Sequence, residues 1–123
     1  MKNILLVDES NTSRIIMKRF LKKGGYSGCV LEAADGIEAY SLLSYSDKDI
    51  SLIVTSLTLP RMSGIALLKK IRGSEKLRKI PIIIVTISGR KEIEKTLEGC
   101  NICGYVEKPL EYESFIKTAG DYL

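Results

Sequence analysis

The fold is decided by the stretch Ser51–Gly64, which reads SLIVTSLTLPRMSG. Its first half is an apolar run with β-branched residues that ends at Ser56, and a loop containing Pro60 follows. Gly64 then begins an amphipathic segment, so the stretch predicts a buried central strand, a turn and a helix. Ligands bind at the carboxyl ends of strands in an open α/β sheet, which predicts that Ser56 lies at a binding edge.

Strands and helices alternate along the rest of the chain. Apolar runs predict further strands at residues 3–7, 29–32, 80–86 and 103–106, and helical spacing predicts helices beginning near residues 10, 35, 64, 88 and 111. The second helix is expected to turn Ile37, Tyr40 and Leu43 inward, and the fourth contains Ile93 and Leu97. Five such pairs predict an α/β fold, a doubly wound (βα)5 sandwich around a five-stranded parallel sheet.

Composition predicts one domain that spans residues 1–123. Hydrophobic residues make up 45% of the chain and charged residues 28%, which is enough apolar material for a single core. No apolar stretch approaches the ~20 residues of a membrane helix, and the first residues lack the pattern of a signal peptide. Three cysteines, an odd number, predict reduced thiols and a cytoplasmic location.

The net charge of +4 is too mild to indicate direct binding of nucleic acid. The basic segment Lys69–Lys79 is expected to be a solvated helix end and loop, with an acidic partner left open. The chain has no histidine, which excludes histidine metal sites, Ser-His and Cys-His catalytic pairs and phosphohistidine transfer from this chain. The C-x-x-C match at Cys100 and Cys103 lies where a helix exits into a strand, so both thiols are interpreted as small apolar fillers.

Polar residues stand at four predicted strand ends. They are Asp8 and Glu9 after the first strand, Ser56 after the third, Thr86 after the fourth and Lys108 after the fifth. The carboxyl ends of parallel strands share one edge, so these side chains should converge around one crevice. Two acids, a hydroxyl and a lysine in one crevice are typical of a site for phosphate and a divalent cation.

This set resembles the receiver domain of the two-component response regulators, and the resemblance covers the whole chain. The matching segments are Ile4–Ser10 (ILLVDES), Leu57–Gly64 (LTLPRMSG), Ile82–Thr86 (IIIVT) and Gly104–Pro109 (GYVEKP). The chain is similar to the stand-alone chemotaxis type of receiver. The resemblance implies a flavodoxin-like fold with strand order 2-1-3-4-5.

In such domains an aspartate at the position of Ser56 takes a phosphoryl group from a histidine kinase. The resemblance implies further roles as follows: Mg²⁺ ligation by Asp8, Glu9 and the backbone of Thr58, contact with the phosphoryl group by Lys108, and switching by Thr86 and Tyr105. It also implies a cis peptide before Pro109, although an X-Pro bond is more often trans.

The departure at Ser56 changes the expected chemistry. A serine hydroxyl is a poor nucleophile without a base, and phosphoserine is a stable ester, so we predict no phosphotransfer to Ser56. The Mg²⁺ site at Asp8 and Glu9 is expected to be weak or empty, and Lys108 is free to pair with either acid. Ile87 replaces a residue that is usually small in this family, and it is expected to crowd the entrance to the site.

The leading hypothesis is a degenerate receiver, a protein-binding module that works without phosphorylation and is not an enzyme. Its expected partners are signalling proteins, namely a histidine kinase, an output domain or a target protein. The expected interface combines the fourth helix, the fifth strand and the fifth helix, and a homodimer is left open. Neither a membrane nor direct nucleic-acid contact is expected.

Two alternatives remain at this stage. One is an ordinary phosphoaccepting receiver whose aspartate has been substituted by engineering. The other is a flavin-binding electron carrier of the same fold, favoured faintly by the hydroxyl-rich run Ser10–Ser13 but opposed by Asp8 and Glu9, which would repel a phosphate. A phosphatase or esterase lacks both a base and a G-x-S-x-G turn.

Overall fold

Five parallel strands form the central sheet in a computed structural model that describes residues 3–45, 49–87 and 94–123. The strands are β1 (Asn3–Val7), β2 (Cys29–Ala33), β3 (Ile50–Ser56), β4 (Ile82–Thr86) and β5 (Ile102–Glu107). Their spatial order is β2-β1-β3-β4-β5, and Leu5 of β1 lies opposite Leu31 of β2 and Ile53 of β3. The predicted strand order is therefore confirmed.

Helices connect these strands across both faces of the sheet. They are α1 (Asn11–Lys23), α2 (Gly36–Tyr45), α3 (Gly64–Arg72) and α4 (Tyr112–Ala119), and a 3₁₀ turn follows at Gly120–Tyr122. Residues 94–96 are also helical, whereas the predicted start of that helix at Ser88, together with Ile93, lies outside the described residues. No helix among the described residues is both long and apolar enough to cross a membrane.

Serine side chains begin two of these helices. The hydroxyl of Ser10 accepts a hydrogen bond from the Ser13 N–H at 3.1 Å, and the hydroxyl of Ser63 accepts one from the Ala66 N–H at 3.1 Å. Each bond satisfies one of the backbone donors that the first turn of a helix leaves without a partner. The caps fix the points at which the chain leaves β1 and β3 for the next helix.

Two apolar clusters lie on opposite faces of the sheet, because successive side chains of a strand point to opposite sides. One cluster packs α2 and α3 against the sheet, and its fully buried members include Leu5, Ile53, Ile84, Leu67 and Leu68. The other packs α1 and α4 against the second face, and its fully buried members include Ile4, Leu6, Met17, Val54 and Phe115. The doubly wound sandwich predicted from the alternation of elements is thus present.

Packing also corrects one prediction and confirms another. Ile37 was expected to point inward but is 43% exposed, because the buried face of α2 runs through Gly36, Ala39 and Leu43. Cys100 packs against the α2–α3 cluster and Cys103 against the α1–α4 cluster. Burial raises the pKa of both thiols. The two cysteines are therefore separate fillers, as predicted.

Candidate functional site

Polar residues from the carboxyl ends of β1, β3, β4 and β5 surround one cavity of about 380 Å³. Its polar lining includes Asp8, Glu9, Ser56, Thr58, Thr86 and Lys108. The convergence predicted from the strand ends is confirmed. Because these side chains come from the ends of four different strands, the site exists only once those strands have paired in the sheet.

A buried ion pair spans the cavity from β1 to β5. Asp8 is 1% exposed, and its Oδ2 lies 3.0 Å from the Nζ of Lys108, so Asp8 is the acid that pairs with Lys108 of the two that were expected as partners. The other carboxylate oxygen accepts a hydrogen bond from the Ser10 N–H at 2.9 Å. The Lys108 N–H donates to the Thr86 carbonyl at 2.9 Å, which fixes the end of β5 beside β4. Oδ2 of Asp8 has no hydrogen-bond partner among the described residues, so the ammonium supplies its charge compensation.

Ser56 ends β3, is 8% exposed and turns its hydroxyl toward the loop that follows. Its Oγ accepts a hydrogen bond from the Thr58 N–H at 3.3 Å and donates to the Thr58 carbonyl at 3.4 Å. A Cβ on Gly64 would lie 2.5 Å from the Ser56 carbonyl oxygen, so only glycine lets α3 begin this close to the strand end. Neither partner of the hydroxyl is a base, and the hydroxyl is therefore not activated as a nucleophile.

The loop between β3 and α3 is fastened to the start of α2. Oδ2 of Asp35 accepts hydrogen bonds from Nη2 of Arg61 at 2.7 Å and from its Nε at 3.1 Å. The Glu38 N–H donates to the other oxygen at 2.8 Å. That backbone hydrogen bond, followed by the Arg61 guanidinium, lowers the pKa of the Asp35 carboxyl. Arg61 reaches Asp35 from a left-handed backbone, with a φ of 65°. The loop also lies close against the start of α2, because a Cβ on Gly36 would lie 2.3 Å from the Met62 carbonyl oxygen.

A second set of charges holds the backbone of β1 in place. Nη1 of Arg14 donates a hydrogen bond to the Asp8 carbonyl, and its Nε lies 3.0 Å from Oε1 of Glu32 on β2. Lys18 pairs with the other oxygen of Glu32 at 2.9 Å. Lys18, and then Arg14, lower the pKa of the Glu32 carboxyl. The sequence analysis missed both this network and the Arg61–Asp35 pair, because residues far apart in the chain with no shared spacing form them.

The remaining predicted residues lie at the border of the cavity. Glu9 is exposed at its rim, and Thr86 is 8% exposed in its wall. Tyr105 is half-buried on β5 and lines the neighbouring groove. Ile87, which is expected to crowd the entrance, is 81% exposed and lies in the lining of the cavity. The peptide bond before Pro109 is cis.

The donor set suits a divalent cation only in part. Oδ2 of Asp8 is a buried oxygen without a hydrogen bond from any described residue, Glu9 is adjacent, and Thr58 offers a carbonyl. Mg²⁺ prefers such oxygen ligands. However, the Lys108 ammonium lies against Oδ2, and the Ser56 hydroxyl donates to the Thr58 carbonyl. Among residues 3–45, 49–87 and 94–123, no three side chains of His, Cys, Asp or Glu gather as a metal cluster.

Known proteins are similar to this chain in sequence and in fold. The chain is 38% identical over 106 residues to a chemotaxis protein CheY homologue of Campylobacter jejuni, a match that covers 86% of this chain and 80% of that protein. It is 39% identical over 108 residues to the chemotaxis protein CheY-3 of Vibrio cholerae, covering 86% and 79% of the two chains.

Solved structures of response regulators have the same fold as this chain. The chemotaxis response regulator CheY4 of Vibrio cholerae matches with a TM-score of 0.85 and 27% identity, covering 100% of this chain and 99% of that one. The bacteriophytochrome response regulator AtBRR matches with a TM-score of 0.82 and 30% identity over 99% and 92% of the two chains. The response regulator receiver domain family matches residues 4–119. This chain therefore belongs to the response regulator receiver domain family of two-component signalling and is CheY-like.

Proposed function

We propose that residues 1–123 form one degenerate receiver domain, in which Ser56 occupies the phosphoacceptor position and partners are bound without phosphorylation. The observation that carries this proposal is the arrangement at the centre of the cavity. Lys108 pairs with the buried carboxylate of Asp8, while the hydroxyl of Ser56 is engaged by the backbone of Thr58. Lys108 thus balances the charge of Asp8, and the hydrogen bonds of Ser56 among the described residues do not activate its hydroxyl as a nucleophile.

The chemistry of phosphoryl transfer supports this proposal. A carboxylate is an anion at neutral pH and attacks a phosphoryl donor directly, whereas a serine hydroxyl needs a base to take its proton. The chain has no histidine, and the carboxylate of Asp8 is committed to Lys108. A phosphoserine, if it formed, would be a stable ester. A receiver with serine here would therefore have neither the fast charging step nor the spontaneous discharge of a phosphorelay switch.

Electrostatics point in the same direction. Two carboxylates ~4 Å apart repel by about 4 kcal/mol at an effective dielectric constant of 20, so a pocket with aspartate in place of Ser56 would need extra positive charge. With serine, Lys108 alone balances Asp8. Asp8, Glu9 and the Thr58 carbonyl would hold Mg²⁺ if it bound, and the ion would neutralise charge on a phosphoryl group there. Weak Mg²⁺ binding is the expected consequence.

CheY-like receivers interact with histidine kinases and output proteins. For this chain we propose a docking surface on β5, α4 and the helix predicted from Ser88, whose first residues lie outside the described residues; α4 is the fifth helix of the sequence analysis. A groove of about 500 Å³ runs between β5 and α4, and Tyr105, Lys117 and Thr118 line it. Thr86 lines both this groove and the cavity, which gives the proposed switch residues Thr86 and Tyr105 a shared location.

The proposal is tested by incubation with acetyl phosphate and Mg²⁺, with intact mass as the readout. The unmodified chain is expected to gain no phosphoryl group. Ser56→Asp should gain one, because Lys108 and the acids are in place, and Ser56→Asn is the matched control that has a similar shape without the charge. Phosphorylation of the unmodified chain at Ser56 would contradict the proposal.

A second comparison reports how far the pocket has diverged. If Ser56→Asp alone is labelled, Ile87 does not block the entrance to the cavity that it lines. If labelling also requires Ile87→Ala, the entrance has changed together with the acceptor.

Family membership leaves the flavin-carrier hypothesis without support, and a purified protein without visible absorbance would agree with that.

A further inference from the structure

Positive charge is concentrated at the carboxyl end of α3 and in the turn that follows. Residues 69–79 contain six basic residues and one acidic residue, Glu75, which gives the segment a formal charge of +5. The whole chain carries +4, so everything outside this segment sums to −1. We call the six residues the basic surface: Lys69, Lys70, Arg72, Lys76, Arg78 and Lys79.

All six side chains of the basic surface are exposed, and the backbone beneath them is fixed by hydrogen bonds. Leu77 is only 5% exposed and packs into the α2–α3 cluster. Its N–H and that of Arg78 donate to the Ser74 carbonyl at 3.2 and 2.9 Å. The turn is also joined to residues 97–101, because the Asn101 amide donates to the Lys79 carbonyl at 2.8 Å. The backbone that carries the charges is therefore preorganised, so binding would not have to order the turn itself.

No acidic side chain of the described residues neutralises this array. The ion pairs of residues 3–45, 49–87 and 94–123 use the carboxylates of Asp8, Glu32 and Asp35, all of which pair with cations elsewhere. Arg72 instead donates to the backbone carbonyl of Glu98 at 2.6 Å, and Lys70 lies over the ring of Tyr40. The basic side chains of this surface are therefore available to pair with the acidic groups of another molecule.

Helix stabilisation explains only half of these charges. Cations in the last turn of a helix interact favourably with its dipole, and this accounts for Lys69, Lys70 and Arg72. The other three basic residues lie beyond the end of α3, where the dipole gives them no such role. The presence of Lys76, Arg78 and Lys79 on a turn that is fixed by hydrogen bonds is the observation that indicates an external partner.

We propose that the basic surface binds an acidic segment of a partner protein. Two features favour a protein over a nucleic acid. CheY-like receivers interact with histidine kinases and output proteins. Residues 64–79 contain no aromatic side chain on which bases would stack, and the neighbouring ring of Tyr40 already has Lys70 over it. The surface lies at the far end of α3 from the acceptor cavity, about 13 Å along a nine-residue helix. This docking site is therefore separate from the acceptor cavity, and none of its residues lines the groove between β5 and α4.

Titration of the isotope-labelled chain with a polyglutamate peptide tests the proposal by NMR. The expected result is a set of saturable shifts in the amides of residues 69–79. Neutralising Lys76, Arg78 and Lys79 to glutamine should weaken the affinity about tenfold, since each exposed ion pair contributes modestly. The matched control neutralises Arg19, Lys22 and Lys23 of α1, which are also exposed and whose loss gives the same net charge.

The control separates a specific surface from general attraction. Affinity should be retained in the α1 variant and should fall as salt increases. The proposal is overturned if both variants lose affinity equally, or if the shifts map to α1. Tighter binding of a short DNA duplex or of anionic lipid vesicles than of polyglutamate, lost in the Lys76/Arg78/Lys79 variant, would overturn the assignment to a protein partner.

Discussion

Two ion pairs fasten the loops at the carboxyl edge of the sheet, and they differ in what surrounds the acid. In the Lys108–Asp8 pair the aspartate side chain is 1% exposed and the lysine 25%. In the Arg61–Asp35 pair the aspartate is 10% exposed and the arginine 59%. The oxygen of Asp8 that faces Lys108 has no hydrogen bond among the described residues, whereas Asp35 also binds the N–H of Glu38.

The difference separates a pair that compensates a buried charge from a pair that positions a loop. If Lys108 is removed, a buried carboxylate loses its only described compensation at Oδ2. If Arg61 is removed, the carboxylate of Asp35 keeps its backbone hydrogen bond and remains the cap of α2. The Lys108–Asp8 pair therefore offsets the cost of burying a charge in the site, whereas the Arg61–Asp35 pair positions the loop that includes Thr58.

The largest effect is expected from Lys108→Met. Breaking a buried pair by removing one partner costs roughly 3–5 kcal/mol, and the partial exposure of Lys108 reduces the expected loss of unfolding free energy to about 2 kcal/mol. Urea unfolding at neutral pH measures this loss. The control is Lys108→Met combined with Asp8→Asn, which removes the uncompensated charge and should restore most of the stability. A single variant as stable as the unmodified chain would show that Asp8 does not need the lysine.

A smaller effect is expected from substitutions of Arg61. Arg61→Ala loses an ion pair whose arginine is mostly exposed and keeps a residue at positive φ, so the expected cost is about 1 kcal/mol. Arg61→Gly loses the same pair but accepts the left-handed backbone without a steric penalty, and it should be more stable than Arg61→Ala by roughly 0.5 kcal/mol. If the two variants unfold in the reverse order, the backbone of Arg61 carries no strain.

The smallest effect concerns the acid dependence of Asp35. Its pKa in the folded chain is lowered from 3.8, so its interactions stabilise the fold above that pH and are lost as the pH falls through the folded value. The Glu38 N–H bond is the larger cause, so Arg61→Ala should raise the pKa of Asp35 yet leave it below 3.8. Carboxyl chemical shifts followed through an NMR titration report this directly. A return to 3.8 in the variant would mean that the arginine alone lowers the pKa.

The sequence predicted the parts of the site that depend on strand ends. The parallel order places Asp8, Ser56, Thr86 and Lys108 along one edge as soon as the strand ends are known. Opposite charge predicted that Lys108 pairs with an acid there, and the structure identifies that acid as Asp8. These inferences succeed because the alternation of elements determines the edge on which a residue lies.

Other features of the structure depend on backbone geometry that the periodicity of the sequence does not predict. The Arg61–Asp35 pair requires the left-handed backbone of Arg61 and the close approach of its loop to α2, and neither follows from residue spacing. The inward prediction for Ile37 was wrong because α2 has apolar residues on several sides, so its periodicity does not identify the buried face. Ile87 follows the last residue of β4, so the alternation of side chains along the strand does not determine its direction.

The central claim is that Lys108 neutralises Asp8 in a pocket that lacks the acceptor anion, and Mg²⁺ affinity tests it most directly. Titration of the unmodified chain, followed through the amides of residues 8–10, 56–58 and 108, should give weak binding. Ser56→Asp should bind Mg²⁺ at least about tenfold more tightly, a difference of roughly 1.4 kcal/mol. Equal and tight binding by the unmodified chain would contradict the account, because the pocket would then hold a cation without the missing carboxylate.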